Sequence, residues 1–220
     1  MSGLFITFEG GEGSGKSTQI KLVKTWLEET FPGREILVTR EPGGTPEAEL
    51  IRNILVTGAA EKLSVEAEAL LMIASRTEHV QKVIIPALQR GAMVLSDRFS
   101  DSTLVYQGLA HDLPVEELIA IHEFGFDDLQ PDITFLLDVP AELGLQRAEH
   151  RQYAQKDPKS EAESRFEEKG IAFHQRVRAG FLALADRYPG RVIVIDASQS
   201  PEHSDKQVKA HLAARLPDRP

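Results

Sequence analysis

The chain has 220 residues, 41% hydrophobic and 27% charged, a balance that suits one globular domain over residues 1–220 and excludes a disordered or collagen-like chain. Its 25 Lys and Arg against 34 Asp and Glu leave a net charge of −9, which disfavours nucleic acid and anionic membranes as partners, so an anionic small ligand would need a local basic pocket. There is no cysteine for a disulfide, a thiolate nucleophile or Cys-ligated zinc, and no leader or membrane-length apolar run, so the expected location is the cytoplasm.

Five short apolar, β-branched runs read as buried strands: Leu4–Phe8, Ile36–Thr39, Ala92–Ser96, Ile133–Asp138 and Arg191–Ile195. Stretches of helical period separate them. This βαβα alternation calls for an α/β fold, a parallel sheet with helices on both faces. The longest helical stretch starts after Ser64, a suitable N-cap, and heads for Pro86 and Gly91 with Leu70, Ile73, Thr77, Val80 and Ile84 on one apolar stripe. A break is expected near His79. From His150 to Gly170 charged and polar residues crowd together with almost no aliphatic content, which reads as a mobile surface segment.

Directly after the first run comes Gly10-Gly11-Glu12-Gly13-Ser14-Gly15-Lys16-Ser17-Thr18, matching G-x-x-x-x-G-K-[ST] between a strand and a helical segment. Glycines let backbone N–H groups wrap a phosphate, and the helix start adds partial positive charge. Lys16 is expected to bridge the β and γ phosphates of a nucleotide, Ser17 to supply an oxygen to Mg²⁺, and Thr18 to lie against the α phosphate. A dinucleotide fingerprint does not fit, because the glycines miss G-x-G-x-x-G.

What receives the phosphate is read further on. The chain has no Asn-Lys-x-Asp guanine reader, which argues against a GTPase switch, and its third run ends Leu95-Ser96-Asp97-Arg98, one acid followed by a base. That suits Asp97 helping to hold hydrated Mg²⁺ while Arg98 grips a second, acceptor phosphate.

With Arg40-Glu41-Pro42-Gly43-Gly44-Thr45 after the second run, and Asp97-Arg98-Phe99, Ser102-Thr103 and Tyr106-Gln107-Gly108 after the third, the chain resembles bacterial thymidylate kinases from Phe5 to about Asp196. The resemblance implies a P-loop NTPase three-layer fold, Mg·ATP as donor, dTMP as acceptor and a homodimer. It places the dTMP phosphate against Arg98 with Arg52 nearby and Arg40 supporting the loop, thymine against Arg76 and Thr103, and the sugar near Glu12, Tyr106 and Gln107. A guanidinium and a hydroxyl can read the acceptor oxygens and N3–H of thymine, whereas the amine of cytosine would face Arg76 donor to donor. Four residues before Arg76, where the family usually has a phenylalanine stacked on thymine, this chain has Met72, which implies weaker thymine binding.

The acceptor phosphate is largely dianionic near neutral pH, so no general base is assigned; catalysis rests on positioning and charge cancellation. The family divides by whether a catalytic arginine lies in the phosphate loop or in the lid. The loop here has none. The resemblance therefore assigns a lid at about residues 147–169, with Arg151 on the transferring phosphates, Arg147 on the adenine face and Arg165 as a second candidate. The loop Ile195-Asp196-Ala197-Ser198-Gln199 is the expected neighbour of adenine. Lys16 and arginines 40, 52, 76, 98, 147 and 151 would converge on one cleft, so that an acidic exterior surrounds a basic site. The competing readings are another P-loop nucleoside or nucleotide kinase and a non-catalytic nucleotide switch.

Overall fold

The computed structural model describes residues 3–56, 63–127, 129–155 and 169–216, with side chains through Arg151 in the third stretch. The expected runs all form strands, each end within one residue of its expected place: β1 (Leu4–Glu9), β2 (Ile36–Arg40), β3 (Met93–Asp97), β4 (Ile133–Asp138) and β5 (Val192–Asp196). They pair in parallel in the order β2-β3-β1-β4-β5. This puts β1 at the centre and reverses the direction of winding beside it, the position at which open α/β sheets bind ligands beyond their carboxyl ends.

The central strands are covered on both faces, which is why they read as continuous apolar runs. Ile6 and Phe8 of β1 pack with Ile20, Val23 and Leu27 of α1 (Lys16–Thr30), and the same core takes in Val208 and Leu212 from the final helix, Pro201–Arg215. Phe5 points to the opposite face and meets Phe99 edge to face at 4.8 Å. The edge strands are less covered: Val38 of β2 and Val194 of β5 are exposed.

Helix α2 (Pro46–Val56) is followed by α3 (Val65–His79), whose N-cap Ser64 accepts the Ala67 N–H at 3.2 Å. The expected break at His79 takes the form of a π-helical turn, Val80–Ile84, before α4 (Ile85–Gln89). Ile73, Val80 and Ile84 are buried as the stripe requires, but Leu70 at the same spacing is 53% exposed. After β3, the short α5 (Ser100–Thr103) runs into a second π-helical turn, Leu104–Leu109, then α6 (Val115–Phe126). Helix α7 (Ala141–Gln155) takes in the start of the expected lid, of which residues 156–168 lie outside the described residues, and α8 (Ile171–Arg187) and α9 (Pro201–Arg215) flank β5.

Candidate active site

The phosphate loop leaves β1 at Gly10 and enters α1 at Lys16. Gly15 caps the helix with φ 92, a left-handed conformation that glycine adopts without steric cost, and its carbonyl accepts the Thr18 and Gln19 N–H groups at 3.1 Å. Gly13, with φ 64, lies so close to the Gly144 carbonyl of α7 that any Cβ there would collide with it. Lys16 folds back over the loop and donates to the carbonyls of Gly10 at 3.1 Å and Gly11 at 2.9 Å. Burial and the nearby Arg98 guanidinium lower its pKa to about 8, against the opposing pull of Glu12, Asp97 and Glu9. Its cradle is thus shaped for an anion.

Strand pairing brings the end of β3 beside that loop. Ser17 Oγ donates to Asp97 Oδ2 at 2.9 Å, which places two hard oxygen ligands side by side at the mouth of the cradle. Among the described residues there is no cluster of three or more His, Cys, Asp or Glu that would cage a metal by itself. An oxygen pair of this kind suits a divalent ion that keeps its waters and arrives with phosphate.

Arg98 adopts φ 69, an unusual left-handed conformation for a residue with a long side chain. Its Nη1 donates to the Gly10 carbonyl and to Ser102 Oγ, both at 3.1 Å; its Nη2 donates to Glu12 Oε1 at 2.7 Å and to the Tyr106 hydroxyl at 3.2 Å. Tyr106 completes the triangle by donating to Glu12 Oε1 at 3.1 Å. Burial works against the Arg98 charge, but Tyr106, Glu12, Glu9 and Asp97 outweigh it and push its pKa above the ordinary arginine value. Burial likewise works against the Glu12 charge, and Arg98, Lys16, Tyr106 and Arg151 overcome it, so that Glu12 lies below its usual range. Glu12, Arg98 and Tyr106 therefore form one charged group against the phosphate loop.

Arg76 and Thr103, the residues expected to read thymine, also meet: Arg76 Nη1 donates to Thr103 Oγ1 at 3.0 Å. The surroundings of Arg76 were not legible in the sequence. It is 2% exposed, its Nε donates to Glu41 Oε2 at 2.5 Å, Nη2 donates to the Phe99 carbonyl at 3.0 Å and Nη1 also reaches His122 Nε2 at 2.8 Å. Glu41 spans to His79 Nδ1 at 2.9 Å, and His79 Nε2 meets Thr39 Oγ1 at 2.6 Å. Glu41 belongs to the quoted Arg40–Thr45 segment, whereas nothing in the local pattern singled out His122. Burial, then Arg76, lowers the His122 pKa to about 3, so this histidine is neutral and accepts from the guanidinium. Met72, one turn before Arg76, is half-buried.

The remaining candidates are spread more widely. Arg40 is paired in register with Asp97 across β2 and β3, and its exposed guanidinium bonds Glu49 at 3.2 Å. Arg52 donates to the Pro42 carbonyl at 2.8 Å, bracing the loop whose Glu41–Pro42 peptide is cis. Gln107 is buried and donates to Glu68 of α3 at 2.6 Å. Arg147 of α7 donates to the carbonyls of Ala197 at 2.7 Å, Ser198 at 2.9 Å and Gln199 at 3.2 Å, joining the two segments expected beside adenine. Arg151 is exposed, near enough to Glu12 to help depress its pKa. Arg165 lies outside the described residues.

A glycine cradle at the switch point of a parallel sheet, with a fixed arginine facing it in place of a second acid, defines a P-loop phosphotransferase, a kinase rather than a motor or a switch. The family model described as Thymidylate kinase matches residues 8–208. A thymidylate kinase of Caulobacter vibrioides is 51% identical over 89% of this chain and 88% of its own length, and one of Lactobacillus helveticus is 45% identical over 99% of both. Among solved structures, the crystal structure of thymidylate kinase from Ehrlichia chaffeensis superposes with a TM-score of 0.74 at 34% identity, covering 96% of this chain and 99% of that one. The chain belongs to the thymidylate kinase family, whose activity is ATP-dependent phosphoryl transfer.

Proposed function

We propose that this protein transfers the γ-phosphoryl group of ATP to dTMP, giving dTDP and ADP. The observation that carries this reading is the contact of Arg98 with both Glu12 and the Gly10 carbonyl, which sets an acceptor-side cation directly against the donor-phosphate loop. In the reaction, the N–H groups of the loop and Lys16 hold the donor phosphates, with Thr18 on the α phosphate. Arg98 takes the acceptor phosphate, and Arg40 and Arg52 steady the loop beside it. Glu12 accepts from the 3′-hydroxyl, and Tyr106 closes the space under C2′, with Gln107 behind it. Arg76 and Thr103 read the thymine edge and Met72 covers its face. Ser17 and Asp97 would hold Mg²⁺, which when bound would offset charge on the β and γ phosphates. The dianionic acceptor needs no general base, so the residues align donor and acceptor in line and cancel charge on the migrating group. Arg151 supplies the lid arginine and Arg147 the adenine face.

A single-domain homodimer belongs to the same proposal. Leu70 of α3 and Phe124 of α6, 53% and 93% exposed, lie on helices that pack together and give an apolar surface for a second copy. The cytoplasm is the proposed location, with no nucleic-acid or membrane partner, in keeping with the charge of −9. No helix among the described residues is long and apolar enough to cross a membrane.

The test is ADP release with Mg·ATP and a panel of dTMP, dUMP, dCMP, dGMP and thymidine. Fastest turnover is expected with dTMP. Preference for another acceptor would assign a different nucleotide kinase, and tight nucleotide binding without ADP release on adding dTMP would favour a switch.

A further inference from the structure

Glu9, the last residue of β1, is fully buried, and none of the roles above uses it. Its Oε1 accepts the Phe99 N–H at 2.7 Å and its Oε2 accepts the Ser102 hydroxyl at 2.6 Å. Both donors belong to the segment that carries Arg98. The Ser102 oxygen in turn accepts from Arg98 Nη1 at 3.1 Å, and the same nitrogen donates to the carbonyl of Gly10, the residue after Glu9. A closed relay therefore runs from the root of the phosphate loop through Glu9, Ser102 and Arg98 and back to that loop. The left-handed backbone of Arg98 persists only where its surroundings hold it.

A buried carboxylate is costly unless well partnered, and packing alone would be served by an apolar side chain. We infer that Glu9 is a positioning residue, which acts through Ser102 to fix Arg98 against the phosphate loop and thereby sets the separation of acceptor and donor phosphates. This rests on the phosphoryl-transfer reading above. The charges facing Glu9 are consistent with such a role. Asp101 opposes its ionisation but is itself held by Arg191 at 2.6 Å, and Arg98 favours it. Burial and Asp101 push Glu9 up to about 7, so its ionised form depends on the relay.

The test is steady-state kinetics of Glu9→Gln, Ser102→Ala and the double variant, with ATP and dTMP varied separately. Each single variant is expected to raise the KM for dTMP about tenfold, the scale of one hydrogen bond to a charged group, and to leave the KM for ATP within about twofold. Because both residues act in one relay, the double variant should lose little more than the worse single one. An unchanged KM for dTMP, or equal shifts for both substrates with a lowered Tm, would overturn the inference. If Glu9→Gln fails to fold, Ser102→Ala decides alone, and a wild-type KM for dTMP in that variant refutes the relay. Wild-type protein that releases no ADP with dTMP would instead sink the underlying reading.

Discussion

At the residue scale, the arginines expected to crowd one basic cleft are each already engaged. Arg98 is paired with Glu12, Arg76 with Glu41 and Arg40 with Glu49, while Arg147 is spent on three carbonyls. Side chains fixed in this way lose little further entropy when a ligand arrives, which is the advantage of a preorganised site. Arg40 and Arg151 are the exposed ones, and Arg151 lies near enough to Glu12 to help lower its pKa. Arg151→Ala is expected to lower kcat on the order of 10³-fold with little change in the KM for ATP, by analogy with other arginines that stabilise phosphoryl transfer. Near-normal turnover would move the role to Arg165. Met72, half-buried one turn before Arg76, would cover a base without ring stacking. Met72→Phe should lower the KM for dTMP about fivefold, from a stacking gain on the order of 1 kcal/mol; an unchanged or higher KM would remove Met72 from the base site.

At the scale of elements, the site is an agreement between loops that follow different strands. Register across β1, β2 and β3 aligns Phe8 and Arg40 with Asp97, so the segments after all three strands emerge together. The phosphate loop is also pinned from above by α7, where Gly13 and Gly144 allow backbone to approach backbone. Gly13→Ala adds a methyl group to a left-handed position and drives it into the Gly144 carbonyl. It should destabilise the protein by about 2 kcal/mol, lower Tm by about 4–8 °C in a thermal melt and raise the KM for ATP. A variant with wild-type Tm and KM would show that α7 yields without cost. The two π-helical turns were only partly foreseen. The break at His79 was, but Leu104–Leu109, which places Tyr106 against Glu12 and Gln107 against Glu68, resembles ordinary helix in its local pattern.

For the whole molecule, the net charge of −9 describes the average and not the site, where acids and bases alternate within hydrogen-bond distance. Breaking the buried Arg76–Glu41 pair would cost about 3–5 kcal/mol, because the remaining charge would be stranded. The neutral His122 ties this network to stability. Its pKa is depressed to about 3 in the folded state against roughly 6.5 when unfolded, so below the unfolded value only the unfolded chain takes up the proton. The His122 contribution is thus complete above about pH 6.5 and is lost as pH falls toward 3, amounting to about 2 kcal/mol between pH 7 and pH 5. Urea unfolding at the two pH values should show this loss in the wild type and a smaller one in His122→Asn. Equal losses would mean that other groups carry the acid sensitivity.

Strand positions, fold class and the donor-phosphate loop were legible in the linear chain because each depends on neighbours in sequence: continuous apolar runs, one helical period, and glycines immediately before Lys16. What needed the folded chain was every contact between residues far apart in sequence. The order β2-β3-β1-β4-β5, the grasp of Arg147 on the Ala197–Gln199 carbonyls, the meeting of Arg76 with Glu41 and His122, and the seat of Glu9 behind Arg98 all arise from which helices cover which strands. A buried polar group takes whatever partner packing brings within reach, and no local pattern encodes that partner.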